Sequence, residues 1–327
     1  MKSGDLPLLI FVLAIAGVGI VIAMVGRIRS DTARWGGMTP PQDISDTVLQ
    51  TDPQIQRMNA DATTILAGLK RVCGDFHLDF RGPDNFHAET GRTTYTPYDT
   101  PKVELGTKDC QFTFEQASGN LASYLLWSHA FTATPAKDPT EPKWTNDEVL
   151  KIALAIRHVL VDDSKFTFST PKAQYTPSFG TGENYHEGDW WVYWTRVDAK
   201  GRPFGGNGVQ LRLSETVGVT SATTYLADTY DEQEGQPMTS DQAVALAKKN
   251  HPAFGTESKT IVDYTLKSAD LELIRPYGNR RKPCRLAWVI WLQPVRAKGT
   301  PFLGYDDSQE LTIDAFTGTI IGEDAMM

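Results

Sequence analysis

One short pattern occurs three times in this chain at nearly equal intervals, in residues 112–119, 211–218 and 311–318. In each copy apolar and polar residues alternate, as in a strand with one buried face. Each copy ends at a glycine, which accepts the positive φ that a short hairpin loop requires, and an apolar stretch follows. A repeat constrains the architecture more than any single segment does. The sequence therefore predicts three similar β-hairpins, with positive φ at Gly119, Gly218 and Gly318.

The second and third hairpins are each preceded by the same signal for the start of a helix. Thr145 with Glu148, and Thr239 with Gln242, have the form of a capping box, in which the two residues satisfy each other's free backbone amides. Apolar residues then recur at helical spacing. The first unit has instead Pro53, which a first helical turn tolerates, followed by the apolar stripe Ile55, Met58, Ala62, Ile65, Leu66 and Leu69. We expect one helix ahead of each hairpin.

An aromatic strand lies between helix and hairpin in the second and third units. It reads Trp191-Val-Tyr-Trp194 in one unit and Trp288-Val-Ile-Trp291 in the other. Tryptophan fills a thin core between a helix and a sheet well, so we expect Trp191 and Trp288 to be equivalent and largely buried. The other interpretation is an exposed aromatic surface for a sugar or a peptide, which would include Trp190.

Proline-rich and acidic stretches separate the units. We divide the chain into residues 52–133, 144–226 and 237–327, of which the first is the most diverged. The expected fold is α+β, with three tandem modules that each pack one helix on a small antiparallel sheet. Residues 27–51 are expected to form a linker.

Residues 6–25 carry no charge and are long enough to span a bilayer as a helix. We expect residues 1–26 to be a retained single-pass signal anchor; the alternative is a signal peptide cleaved near Ala14-Ile-Ala16. The arginines that follow this segment would by themselves leave the rest of the chain in the cytoplasm. The remainder is rich in Trp, Tyr, Thr and Gly with few cysteines, which favours the opposite orientation. We expect the bulk of the chain to be extracytoplasmic.

The composition and the motifs argue against several functions. The net charge is −8, which disfavours nucleic-acid binding. The six histidines lack the spacing of a zinc protease, no Cys-x-x-Cys pair occurs, and there is no Gly-x-Ser-x-Gly. Asp75, His77 and Asp79 are better explained as the polar rim of a turn than as a catalytic cluster. We therefore expect no enzymatic activity, no cofactor and no metal.

Two further groups of residues stand out. A basic segment before the last aromatic strand is a candidate contact for an acidic partner or for lipid phosphates, and otherwise a solvated loop; its members are Arg275, Tyr277, Arg280, Arg281, Lys282 and Arg285. In an oxidising compartment Cys73 and Cys110 would be the natural disulfide pair, with Cys284 left over, although other pairings stay open.

The third unit resembles the PepSY family. The resemblance rests on Asp241-Gln-Ala243 at the start of the helix, Ala287-Trp-Val289 in mid-sheet, and the closing Ile313-Asp314-Ala-Phe-Thr-Gly318. The second unit matches in outline, and the first only in its hairpin. This resemblance implies an α+β module outside the cytoplasmic membrane, of a kind found in inhibitory propeptides of secreted metallopeptidases and in anchored regulators. It brings no catalytic residues with it.

The expected function is therefore that of a non-enzymatic, membrane-anchored protein. It would bind or modulate another envelope protein, a peptidase or a signalling complex, outside the cytoplasmic membrane. The alternative is a cell-surface protein that binds a glycan or a peptide through its Trp-rich sheets.

Overall fold

A computed structural model describes residues 39–95, 100–127, 141–178, 188–226, 230–250, 261–276, 282–298 and 309–325. Within these residues the chain forms four helices: α1 (Asp46–Thr51), α2 (Pro53–Asp75), α3 (Asn146–Leu160) and α4 (Ser240–Asn250). The strands of the same residues are β1 (Thr39–Asp43), β2 (Thr90–Tyr95), β3 (Lys102–Gly106), β4 (Cys110–Glu115), β5 (Leu121–Leu126), β6 (Thr167–Phe168), β7 (Lys172–Thr176), β8 (Asp189–Val197), β9 (Pro203–Ser214), β10 (Gly218–Tyr225), β11 (Ile261–Ile274), β12 (Arg285–Arg296), β13 (Gln309–Asp314) and β14 (Ile320–Ala325).

The strands of the described residues form one sheet of 14 strands. Its main order is β1-β2-β3-β4-β5-β10-β9-β11-β12-β13-β14, with β8 also paired to β9 and carrying β6 and β7 on its other edge. These pairs are antiparallel except β9 with β11, which meet in parallel at Phe204 and Leu273. The prediction of three modules on separate small sheets is therefore wrong. Alternation indicates which face of a strand is buried, but every strand edge presents the same backbone groups, so the sequence does not indicate which edges meet.

The core reflects this joining of units. Side chains of α2, α3 and the strands from β3 to β10 form one continuous hydrophobic cluster. The two helices contact each other closely, since a Cβ at Gly68 of α2 would lie 2.6 Å from Cγ1 of Val159 in α3. The described residues also form two smaller clusters: one under α4, around Ile290 and Leu311, and one around Phe204 and Cys284 at the contact of β9 with β11.

The three hairpins predicted from the repeat are confirmed. They are β4–β5, β9–β10 and β13–β14. Gly119, Gly218 and Gly318 have φ of 72°, 81° and 71°, as expected of glycines in the loops. In all three the register shifts by one residue shortly after the loop, which marks a bulge in the return strand. The hairpins therefore share even their irregularity.

Both predicted capping boxes are also formed. The Glu148 amide donates to Oγ1 of Thr145 at 3.3 Å, and the Gln242 amide donates to Oγ1 of Thr239 at the same distance. The residue before each cap is tied to the hairpin loop of its own unit: the Trp144 amide donates to a carboxylate oxygen of Glu215, and the Met238 amide to the Ala315 carbonyl. Each helix start is thus held against its hairpin.

The predicted equivalence of Trp191 and Trp288 is wrong. Trp190 lies opposite Leu213, and Trp288 lies opposite Ile313, which occupies the same repeat position as Leu213. Trp288 therefore corresponds to Trp190. Trp191 and Trp288 are half-buried rather than buried, whereas Trp190 and Trp194 are buried. An alignment of the two strands on the shared letters Trp-Val-x-Trp is therefore wrong by one residue. Because successive side chains of a strand point to opposite faces, an error of one residue assigns each side chain to the wrong face.

Residues 1–38, which include the predicted membrane anchor, lie outside the described residues. In the part of the chain that the structure describes, no helix combines the length and the apolar character needed to cross a membrane. The predicted linker, residues 27–51, contains β1 and α1 in its described part, and β1 pairs with β2. The boundaries of the three units stay a prediction.

Candidate binding surface

One face of the sheet lies opposite the face on which α2 and α3 pack. In the order of the sheet, it is formed by β2, β3, β4, β5, β10, β9, β8 and β7. We call it the open face. Its described side chains belong to no hydrophobic core cluster of the described residues, and most are polar or charged. They are Arg92, Thr94, Lys102, Glu104, Gln111, Thr113, Lys172, Gln174, Trp191, Tyr193, Gln210, Arg212, Ser221, Thr223, Tyr225, Ser123 and Leu125.

The register aligns these side chains in rows across the strands. One row begins at Glu104, passes through Thr113, Ser123, Thr223 and Gln210, and continues to the pair Tyr193 and Lys172. It crosses seven strands, so at the usual strand spacing of about 4.8 Å it measures roughly 29 Å. The sequence indicated the polar positions of the repeated hairpins. It did not indicate that strands from different units place these positions on one surface.

Every aromatic ring of the open face has a cation over it. The Arg212 guanidinium carbon lies 5.4 Å from the centroid of the Trp191 ring. Lys172 Nζ lies 5.8 Å from the centroid of Tyr193, and Lys102 Nζ lies 5.5 Å from that of Tyr225. Cation–π contacts at such sites contribute about 0.5–1 kcal/mol each. These rings are therefore not bare platforms for a sugar.

A shallow polar hollow of about 340 Å³ lies within the open face. It is lined by Thr94, Thr100, Lys102, Glu104, Gln111, Thr113 and Ser123. The Glu104 carboxylate accepts hydrogen bonds from Arg92 Nε and, at 3.4 Å, from Gln111 Nε2. Hydroxyl, amide and charged groups thus stand side by side, and the hollow can both donate and accept hydrogen bonds.

The buried carboxylates of the described residues are each paired with an arginine. Asp189 accepts from Arg212 Nε, Asp198 lies 2.6 Å from NH2 of Arg202, and Asp314 lies 3.0 Å from NH1 of Arg285. For Asp198 and Asp314 the surrounding hydrogen bonds favour the ionised form over the cost of burial, which suits a structural role better than that of a general acid.

The pKa of Asp314 illustrates this balance. Burial alone would raise it, but hydrogen bonds from the Thr317 and Phe316 amides and from the Gln233 side chain outweigh burial and lower it. For Asp198, too, burial is outweighed by bonds from Arg202, and the pKa is lowered. Glu272 differs, because burial and then the charges of Asp270 and Glu310 raise its pKa.

The predicted basic contact is only partly described. Tyr277, Arg280 and Arg281 lie outside the described residues, whereas Lys282 is exposed at the tip of β11 and β12. The guanidinium of Arg275 hydrogen-bonds the Cys284 thiol, and that of Arg285 pairs with Asp314. Those two charges are therefore engaged within the fold, and partner binding by this segment stays a prediction.

The three cysteines are free and buried. The predicted bridge between Cys73 and Cys110 is not formed in the structure and stays a prediction. Burial raises the pKa of both thiols, that of Cys110 to about 11, so neither is activated as a nucleophile. Among the described residues, no group of histidine, cysteine, aspartate or glutamate side chains is arranged to hold a metal ion.

Comparisons with known proteins add little. No protein-family model matches the sequence, and no curated protein matches it. Among solved structures, the Bacillus megaterium YpeB C-terminal domain aligns with 88 % of this chain and 99 % of its own, at 12 % identity and a TM-score of 0.34. A likeness of this size carries no argument about family or function.

Proposed function

We propose that this chain is a non-catalytic binding protein that contacts and regulates another protein of the cell envelope, a peptidase or a signalling complex, through its open face. The observation that carries the proposal is the polar row from Glu104 to Lys172, which presents a broad surface rather than an enclosed site. Interfaces of the non-obligate kind have this mixed polar character, with tyrosine and tryptophan at their centre.

The charges of the open face support a protein partner more than an ionic ligand. Two of its cations are paired with carboxylates: Arg92 pairs with Glu104, and Arg212 pairs with the buried Asp189 at the start of β8. The exposed aromatic rings, Tyr193 and Tyr225, each lie under a lysine that a partner's carboxylate can also contact. The alternative, a glycan held on a tryptophan platform, has less support because Trp190 and Trp194 are buried.

The test removes the aromatic anchors of the open face without disturbing the core. Tyr193 and Tyr225 are 40 % and 37 % exposed, and Leu154 on α3 is exposed to a similar degree, at 41 %, away from that face. We expect proteins that co-purify with the wild-type chain from detergent-solubilised membranes to be lost with the double variant Tyr193→Ala/Tyr225→Ala and retained with Leu154→Ala. Equal recovery with both variants, at equal thermal stability, would show that the open face is not the contact surface.

We propose further that residues 1–26 anchor the chain in the cytoplasmic membrane, with the rest outside. Because the three native thiols are buried, a single introduced cysteine at an exposed position such as Lys108 gives a clean readout. We expect Lys108→Cys to react with a membrane-impermeant maleimide in intact cells. Reaction only after permeabilisation would place the domain in the cytoplasm and contradict an envelope partner.

A further inference from the structure

The part of the open face formed by β7, β8, β9 and β10 carries two cations, Lys172 and Arg212. Lys172 is exposed, and the side chain of Arg212 is 38 % exposed. The carboxylate beside them belongs to Asp189, whose side chain is only 7 % exposed. Among the described residues of these four strands, the charges that the open face presents to solvent are therefore both positive.

The guanidinium of Arg212 is held from two directions. Its Nε donates to the buried Asp189 carboxylate, and its carbon lies 5.4 Å from the centroid of the Trp191 ring, which belongs to the residue directly opposite in the pair of β8 with β9. The terminal nitrogens, Nη1 and Nη2, make no hydrogen bond within the described residues. A guanidinium that is already held loses little side-chain freedom on binding, and its remaining N–H groups match the two oxygens of a carboxylate.

Lys172 places the second positive charge at a defined distance from the first. Its Nζ lies 5.8 Å from the centroid of the Tyr193 ring, and Lys172 lies opposite Tyr193 in the register. Because Tyr193 in turn lies opposite Gln210, Arg212 is two strands and two residues away from Lys172. At the usual strand spacing and rise, the two Cα atoms are about 12 Å apart. An extended peptide covers about 13 Å in four residues, and residues four apart project to the same side.

The surface between the two cations is uncharged. It is formed by Gln174, Trp191, Tyr193 and Gln210, which can exchange hydrogen bonds with a peptide and pack against its side chains. The chain as a whole has a net charge of −8 and repels a continuous negative surface such as an anionic membrane. Two local cations in an uncharged setting therefore fit a ligand with a few carboxylates at defined positions.

We propose that this part of the open face binds an acidic, extended segment of the partner protein, in which two carboxylates four residues apart contact Arg212 and Lys172. Arg212 determines specificity for the first carboxylate, and Asp189 and Trp191 are positioning residues that hold its guanidinium. The inference rests on the proposed function, because it names the chemistry of the partner that the open face contacts.

The test uses the full chain in detergent and a fluorescein-labelled peptide of serine and threonine that carries two glutamates four positions apart. One control peptide has glutamines in their place, and another has the two glutamates adjacent. The variant Asp189→Asn/Arg212→Gln removes the ion pair without leaving a buried charge unpaired, and Lys172→Gln removes the second cation. Lys151→Gln, at an exposed lysine of α3, is the matched control.

We expect the peptide with spaced glutamates to bind the wild-type chain and Lys151→Gln alike. Binding should weaken about tenfold for Asp189→Asn/Arg212→Gln, which loses hydrogen bonds to a charged group, and about threefold for Lys172→Gln, which loses an exposed ion pair. Both control peptides should bind the wild-type chain more weakly, the glutamine peptide by at least tenfold. Absence of binding, or equal binding of the glutamate and glutamine peptides, overturns the inference. Lys172→Gln and the control peptides leave the ion pair intact, so they decide the question even if the double variant does not fold.

Co-purification from detergent-solubilised membranes separates this inference from the proposed function. Loss of the co-purifying proteins with Tyr193→Ala/Tyr225→Ala and with Asp189→Asn/Arg212→Gln, at equal thermal midpoints, supports both. Loss with the tyrosine variant alone supports the open face as the contact surface and contradicts an acidic partner segment. Full retention with every variant overturns the proposed function, and the inference with it.

Discussion

Tyr124 of β5 lies directly opposite Ala222 of β10 in an antiparallel pair, and both side chains are buried in the same core. The two residues occupy the same place in their hairpins, since the residues before them, Ser123 and Ser221, lie opposite Thr113 and Arg212. The first two units are therefore joined about a local twofold axis through this pair. Because their return strands β5 and β10 pair, the strands of the two units form one sheet and their apolar side chains form one core.

The first prediction concerns the Tyr124 hydroxyl, which is buried without a hydrogen-bond partner among the described residues. Leaving such a group unpaired costs about 1–3 kcal/mol, so we expect Tyr124→Phe to raise the free energy of unfolding by about 1 kcal/mol. Tyr124→Ala should instead lower it by about 3–5 kcal/mol, because it leaves a cavity in the joint core. Urea unfolding measures both. Destabilisation by Tyr124→Phe would mean that the hydroxyl has a partner.

The second prediction compares two loop glycines that share a positive φ but differ in surroundings. A Cβ at Gly119 would meet no atom within 4 Å, whereas one at Gly218 would lie 2.6 Å from Sγ of Cys73. We expect Gly119→Ala to cost about 1–2 kcal/mol from backbone strain alone, and Gly218→Ala to cost clearly more. Gly74→Ala, in open space near the end of α2, is the control and should be neutral or slightly stabilising. Thermal unfolding of the three variants gives the order.

The third prediction concerns Asp314, a buried carboxylate that pairs with the partly exposed Arg285. Its charged form also accepts hydrogen bonds from the Phe316 and Thr317 amides, so we expect Asp314→Asn to lose about 1.5–3 kcal/mol at pH 7, the range of hydrogen bonds to a charged group. Because the pKa of Asp314 is lowered in the folded state, its contribution is present above the unfolded-state pKa of about 3.9 and is lost as the pH falls through the folded-state value. The stability difference between wild type and variant should therefore shrink in acid. A difference that is constant with pH would contradict this assignment.

The fourth prediction has the opposite sign. The pKa of Glu272 is raised by burial and by Asp270 and Glu310, so the folded state disfavours its charged form. Stability is then lost as the pH rises from the unfolded-state value through the folded-state value. We expect Glu272→Gln to stabilise the protein at pH 7 by roughly 0.2–1 kcal/mol, the range of a like-charge contact between strands, and to have no such effect well below pH 4. Thr265→Val, exposed on the same strand, controls for a change of β-propensity.

The sequence by itself determined the parts of this protein that depend on neighbouring residues. The three hairpins, the positive φ of Gly119, Gly218 and Gly318, and the capping boxes at Thr145 and Thr239 all follow from residues a few positions apart. Alternation also indicated which side chains of β4, β9 and β13 are buried. In each case the interaction is short-range, so its signal is contained in one short segment.

Only the tertiary structure decided how the units join and which surfaces remain uncovered. The pairing of β5 with β10 depends on backbone groups that are the same in every strand, so no residue marks it. The same is true of the rows of the open face, whose register comes from pairing between distant strands. The equivalence of Trp288 with Trp190 rather than Trp191 has the same origin. Register is set by a ladder of hydrogen bonds between segments far apart in the chain, and a one-residue shift, which letters alone do not reveal, moves a side chain to the opposite face.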